Sequence, residues 1–379
     1  METIINRKLS YGKQSIDEDD VKRVSNALMS DFITIGPTVE DFEREIAKYV
    51  GAKESIAVSS GTAALHCAYA AINVKESDVI TSPLTFVATA SMAIFEGANI
   101  VFADVDQETG NIDSNQVKHL ITDKTSAITI VDYAGNPCEI DKIRSFTDIP
   151  IIQDASHSIG SEYKGKKVGS IADITTFSFF PTKNITTGEG GAVVSSNETY
   201  LNLARKFKMH GLVRETKSLK ESNVGDWHQE VQSFGFNYRL SDVNCALGLS
   251  QLSKIDKFKK RRKEIFDFYS KELASLKEVK IPHVTPDSNP MWHLYPIRVD
   301  KTDRRKLFDF LRSHNIIVQV NYLPVYWHPV FEDLGYKKGL CPIAEDYYLS
   351  EISLPIHPLL TNRDLEYVCE TIFKFYGAK

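Results

Sequence analysis

Through the first half of the chain, short unbroken apolar runs alternate with segments whose apolar residues recur at helical spacing. SIAVSS (55–60) ends an apolar run in small residues, and GTAALHCAYAAI (61–72) continues as a helix. DVITSP (78–83), NIVFADV (99–105), SAITIVDYAG (126–135) and IPIIQDAS (149–156) read as further strands. FVATASMAIFEG (86–97) and DKIRSFT (141–147) read as helices between them. Uniformly apolar strands separated by helices predict a mostly parallel sheet covered by helices on both faces. Strands in TTFSFF (175–180) and GAVVSS (191–196) follow, then a helix over 197–210 and a polar loop over 211–232.

Before the first of these strands, residues 15–29 and the stretch after Pro37 predict two helices. Thr38 and Asp41 fit a capping box for the second. Residues 241–276 read as helix in one or two pieces. Its basic cluster, 257–263, reads as a solvated face. VKIPHVTPDSNP (279–290) is rich in proline and polar residues and reads as a loop between domains. HLYPIRV (293–299) and IVQVNYLP (317–324) read as strands, 303–314 as a helix, and the stretch from Asn362 as a C-terminal helix. Two domains are therefore expected, consistent with 379 residues. Residues 1–250 would hold the N-terminal segment and large domain, and 251–379 a long linking helix and a small α+β domain.

Charge narrows the possible partners. Lys and Arg number 45 against 50 Asp and Glu, so the chain is net acidic, and broad binding to nucleic acid or an anionic membrane is not expected. Any anionic ligand must then be held by local groups. The most apolar stretch, 79–105, is broken by Pro83, Glu96, Gly97 and Asp104, so no membrane span is expected. The start of the chain lacks a signal-peptide pattern. The five cysteines are odd in number and widely spaced, which fits reduced thiols in the cytoplasm and offers no metal-ligand or redox motif.

Three local features carry chemistry. Asp154 follows the apolar run IPII, at the carboxyl end of a strand where open α/β sheets bind ligands. Alone it also reads as a helix cap. Lys183 lies among apolar, hydroxylic and Gly-rich neighbours, a setting that lowers an amine's pKa and makes it nucleophilic. Alone it also reads as a surface turn. Ser59-Ser60-Gly61-Thr62-Ala63-Ala64 joins a strand to a helix, leaving free N–H groups and a favourable dipole for a phosphate, or else a plain capped turn. It matches neither G-x-G-x-x-G nor the P-loop pattern, which disfavours dinucleotides and nucleotide hydrolysis. Together, a lysine for an aldehyde, a carboxylate for a ring nitrogen and a phosphate site suit pyridoxal 5'-phosphate (PLP).

The segments SSGTAALHCA, TSPLTFVATA, DASHSIGS, FSFFPTKNITTGEGGAVV, FNYRLSDVNCALGLSQL and HLYPI resemble the DegT/StrS sugar aminotransferases, from about Tyr11 to the C-terminal helix. That resemblance implies the fold-type-I PLP architecture with a mostly parallel seven-stranded sheet. It also implies amino transfer from L-glutamate to a nucleotide-linked keto-sugar, in a homodimer with shared sites. VDYAG, GLSQL, VQVNYLP and EISLPIHP look most like the branch that serves pseudaminic acid biosynthesis, acting at carbon 4 of a UDP-4-keto-6-deoxy-N-acetylhexosamine. Carried over by resemblance, Lys183 is the lysine that binds the cofactor, Asp154 the partner of its ring nitrogen, and Phe86 the ring stacked on it. His157 approaches its phenolic oxygen. Thr62, Ala63 and Ser178 contact its phosphate, as does Asn237 from the neighbouring subunit. Tyr11, Phe32, Ile33, Thr34, Gly61, Glu189, Gln319, Asn321, Tyr322 and Phe331 line the sugar pocket. Phe180, Asn184 and Asn321 depart from the residues usual in that branch. Sister enzymes on other keto-sugars and a non-catalytic PLP-fold regulator are the competing readings. A dehydratase of the same fold is disfavoured, since that branch carries His where Lys183 stands.

Overall fold

The computed structural model describes residues 7–221 and 224–377. Two residues of the polar loop and the first six, read above for a signal peptide, lie outside them. Among the described residues the strands, in chain order, are β1 (Glu54–Val58), β2 (Asp78–Thr81), β3 (Asn99–Phe102), β4 (Thr125–Val131) and β5 (Ile151–Asp154). After the short β6 (Glu162–Tyr163) and β7 (Lys166–Lys167) come β8 (Ile174–Ser178) and β9 (Gly191–Ser195). The two-residue strands β10 (Leu212–Val213), β11 (Glu230–Val231) and β12 (Ser288–Asn289) precede β13 (Tyr295–Arg298) and β14 (Glu351–Leu354).

Seven strands form one sheet in the order β1-β9-β8-β5-β4-β2-β3. Within it β9 alone runs antiparallel to its neighbours β1 and β8. The other pairs are parallel. The period of two along each strand sends alternate residues to opposite faces. Ile56, Val58, Ile152, Ile174 and Val193 share one core with α3 (Gly61–Ile72). Ala57, Phe177, Ala192 and Val194 pack on the other face with Phe42 and Ile46 of α2 (Pro37–Val50). Ile80, Ile128 and Ile130 extend that second face toward Val117 and Ile140. Both faces are thus covered, as uniformly apolar strands require.

The helix α3 starts at a side-chain cap, Ser60, and the first two helices differ in this respect. The helix α1 (Glu18–Leu28), N-terminal to α2, has a capping box made by Asp17 and Asp20. The expected box of Thr38 and Asp41 is not formed, and α2 has no side-chain cap of its own. Buried Asp242, distant in sequence, accepts from the N–H groups of Gly36 (2.7 Å) and Thr38 (3.0 Å) instead. A charged carboxylate delivered by tertiary packing competes better for two free donors than a local hydroxyl.

The basic cluster also departs from expectation at one position. The Ile255–Leu273 helix carries it, but Arg262 is fully buried and donates to the carbonyls of Trp292 (3.0 Å) and Ile356 (3.0 Å). It staples this helix to two segments, one of which reaches the cavity described below through His293.

IVQVNYLP is extended but forms no strand. Gln319 pairs with Ser353 in a single bridge, and the ladder stops there. The next free donor, the N–H of Asn321, bonds to the Glu351 carboxylate (2.7 Å) rather than to a strand carbonyl. The small sheet is β13 with β14, antiparallel. No described helix is long and apolar enough to cross a membrane.

Candidate active site

The carboxyl ends of β1, β4, β5 and β8 open onto one cavity of about 350 Å³. It collects groups from both halves of the chain, because 293 and 321–322 close the side opposite the sheet edge.

Asp154 ends β5 and is buried. Its Oδ1 accepts from the Ser156 hydroxyl (2.6 Å) and N–H (3.1 Å), and its Oδ2 from the Thr89 hydroxyl (2.7 Å). Thr89 in turn bonds to the Thr85 hydroxyl (2.7 Å). These donors fix the carboxylate in one orientation without a cation touching it.

Lys183 lies in the turn after β8, its N–H bonded to the Phe180 carbonyl (2.9 Å). Its amine has no hydrogen-bond partner among the described residues. Burial pulls its pKa down to about 8, and the nearby Asp154 charge opposes the shift. A desolvated amine near neutrality is a nucleophile in reserve.

His157 is buried, and its Nε2 meets the Tyr322 hydroxyl (3.0 Å) while its Nδ1 has no partner. Its ring packs on His293 at 4.4 Å between centroids. Burial, with Lys183 nearby, holds His157 well below the usual imidazole range, so it is neutral. Phe86 is 57% exposed at the mouth, edge-on to Tyr322. A large ring left this open inside a cavity is a surface for a flat ligand.

Ser60 caps α3 by accepting from Ala63 N–H (3.0 Å). Gly61 and Thr62, at the start of this helix, line the cavity. A Cβ on Gly61 would stand 2.7 Å from the Cβ of Ser178, so only glycine lets the helix start lie against the end of β8. The result is an open helix N-terminus with hydroxyls beside it, suited to a phosphate.

Of the residues singled out from the sequence, Tyr11, Gly61, Thr62, Phe86, Asp154, His157, Ser178, Lys183, Glu189, Asn321 and Tyr322 line this one cavity. Ala63 lies buried just behind its wall. Phe32, Ile33 and Thr34 are exposed between the first two helices, and Gln319 and Asn237 are exposed too. Phe331 is a correction. It is 1% exposed and packs against Phe102 and Tyr336 in the core, so it offers no surface to a sugar in this chain. Thr85, Thr89, Ser156 and His293 also line the cavity and were not foreseen. The signal for the first two was present: hydroxyls four apart in an otherwise apolar segment share a helical face.

An amine, an oriented carboxylate and a helix N-terminus on one wall, with an unpartnered imidazole nitrogen and an open aromatic ring, fit PLP. The fold and this cavity define a PLP-dependent aminotransferase. The chain belongs to the DegT/DnrJ/EryC1/StrS aminotransferase family, whose model matches residues 14–373. It is 40% identical over 381 residues to a UDP-4-amino-4,6-dideoxy-N-acetyl-beta-L-altrosamine transaminase of Campylobacter jejuni, covering 96% of each chain. Among solved structures it resembles PseC of Helicobacter pylori, an aminotransferase involved in the biosynthesis of pseudoaminic acid. The TM-score is 0.91 at 32% identity, over 98% of this chain and 100% of that one. Spr1654 of Streptococcus pneumoniae in its PMP-form matches with TM-score 0.90 at 28% identity, over 95% and 97%. The protein is therefore a PLP-dependent sugar aminotransferase.

Proposed function

We propose that the protein transfers the amino group of L-glutamate to carbon 4 of a UDP-linked 4-keto-6-deoxy-N-acetylhexosamine of the L-altro series, the step used in pseudaminic acid biosynthesis. The likeness to the Campylobacter transaminase over nearly the whole of both chains carries this reading. The cavity supports it. Apart from Lys183 its lining holds no lysine or arginine, and Tyr11, Asn321 and Tyr322 offer ring faces and uncharged hydrogen-bonding groups. Such groups suit a sugar ring and its hydroxyls better than a charged side chain.

In this reading residues 1–250 bear the cofactor and 251–379 close over the sugar. Lys183 would hold the cofactor covalently, Thr62, Ala63 and Ser178 would hold its phosphate, and Phe86 would cover its ring. PLP, when bound, supplies an electron sink next to the substrate carbon. Asp154, oriented by Thr89 and Ser156, keeps a proton on the ring nitrogen. Neutral His157 would approach the ring's phenolic oxygen. The Lys183 amine would take the proton from the α carbon of glutamate and later return one to carbon 4 of the sugar. The two stages share one amine because the ketoacid leaves before the sugar enters. Asn237 reaches the phosphate held by a second copy of the chain, so the enzyme works as a homodimer, in the cytoplasm. Tyr11, Phe32, Ile33, Thr34, Gly61, Glu189, Gln319, Asn321 and Tyr322 form the sugar side, with the exposed ones among them completed by the second copy.

The test is a panel of UDP-, GDP- and dTDP-linked 3-keto and 4-keto sugars, each incubated with glutamate and read by mass spectrometry and NMR. A 4-amino UDP-sugar of the L-altro series is expected. Turnover of only a D-series 4-ketone or a 3-ketone would assign the chain to a sister substrate and leave the residue roles in place.

A further inference from the structure

Glu351 opens β14 on the small sheet, directly across from Arg298 of β13. It has no exposed surface. An ionisable side chain in that position costs free energy that a leucine would not, unless it holds something in place. Both of its oxygens are engaged. Oε2 accepts from the Asn321 N–H (2.7 Å), and Oε1 accepts from the Ser353 hydroxyl. The Ser353 oxygen in turn accepts from the Asn321 side-chain amide (3.0 Å). The remaining backbone group of Asn321, its carbonyl, accepts from the Tyr133 hydroxyl. Asn321 is thereby fixed at its N–H, its amide and its carbonyl, and two of the three fixings run through Glu351.

What is fixed is the substrate side of the cavity. Asn321 and the next residue, Tyr322, both line it, and Tyr322 spans it by meeting His157 Nε2 (3.0 Å) and the edge of Phe86. Asp154 and Lys183, by contrast, sit on the sheet side and are held by Ser156, Thr89 and the local backbone. Apart from the Tyr322–His157 contact, the two sides are positioned by separate sets of contacts.

We propose that Glu351 is a positioning residue for sugar recognition: its carboxyl clamps Asn321 and Tyr322 in the geometry that receives the keto-sugar. This rests on the reading of 321–322 as the sugar side of the site. Burial raises the pKa of Glu351 to about 8, against the Ser353 and Asn321 donors, so the clamp is a carboxyl group poised between its two forms. A glutamine in its place keeps an acceptor for the Asn321 N–H and offers Ser353 a donor.

The experiment separates the two stages in the PLP-loaded enzyme. The donor stage is followed by the cofactor's absorbance after glutamate is added. The sugar stage is followed by the reverse change after the pyridoxamine form meets the keto-sugar that the unmodified enzyme turns over best. Glu351→Ala is expected to raise the sugar's KM about tenfold or more while the donor stage stays within about twofold, since uniform loss and selective loss separate in this way. Glu351→Gln is expected to recover most of the sugar KM. Should Glu351→Ala fail to fold, Ser353→Ala, which removes one arm of the clamp, decides by the same comparison, with a smaller rise in sugar KM expected. Equal losses in both stages, or an unchanged sugar KM in the variants that fold, overturn the proposal. The unmodified enzyme's own preference across the sugar panel judges the substrate reading separately.

Discussion

At the scale of single residues, the chemistry was legible wherever a residue's local setting was unusual for its type. Lys183 among Phe, Thr and Gly, and Asp154 after an unbroken apolar run, are both out of place in an ordinary loop, and both line the cavity. Arg262 and Glu351 were not legible. Each is buried by contacts far away in sequence; Arg262 sits in a basic run that reads as surface, and nothing in the local pattern singles out Glu351. The Lys183 environment carries a prediction. Its ordinary pKa is 10.5, and burial lowers it to about 8. Only the neutral amine attacks an aldehyde. In cofactor-free protein, the rate of covalent PLP capture should therefore rise with pH through about 8 and level off above it. An exposed lysine would keep gaining toward 10.5. Stopped-flow absorbance over a pH series measures this, and Lys183→Ala should capture no PLP and turn over no substrate. A capture rate still climbing steeply above pH 9.5 would place the reacting amine in water instead.

At the scale of elements, period and composition predicted most of the large sheet because its strands are apolar on both faces and its helices cover both. The two failures have one physical cause. The start of α2 and the segment 317–324 are each organised by a buried carboxylate from elsewhere in the chain, Asp242 and Glu351, and a local pattern holds no trace of a distant acceptor. This makes the α2 cap testable. Asp242→Ala should lower stability by about 1–2 kcal/mol, the usual cost of losing a cap, with the added loss of a partner for the Gly36 N–H. Thr38→Ala should change it by less than about 0.5 kcal/mol, because its hydroxyl caps nothing. Urea unfolding of both variants decides between the local box and the tertiary cap. The opposite ranking would mean that the helix is capped from within.

At the scale of the whole molecule, one chain's cavity is short of what the reaction asks of it. The donor proposed above, glutamate, would bring two carboxylates and the cofactor a phosphate, yet Lys183 is the single lysine or arginine of the lining. Close by, the backbone of Tyr238 bonds to Ser59 (2.8 Å), which brings the FNYRL segment alongside the helix start that faces the cavity. The same stretch of chain carries Phe234 at 96% exposure and the half-exposed Phe236, stacked on Tyr238, and Phe95, near His66 of α3, is open as well. In the homodimer proposed above, this exposed aromatic surface is where a second copy would pack. If Asn237 serves the site of the other subunit, two defective chains can repair each other. Lys183→Ala and Asn237→Asp homodimers each carry the same defect at both sites. A heterodimer concentrates both defects in one site and leaves the other with an intact Lys183 and an intact Asn237. Unfolding and refolding the two variants together should then restore about a quarter of the unmodified activity, from random pairing with one good site per heterodimer. Light scattering should report a dimer for each variant alone and for the mixture. Refolded mixtures no more active than the mean of the two variants would mean that Asn237 acts within its own chain.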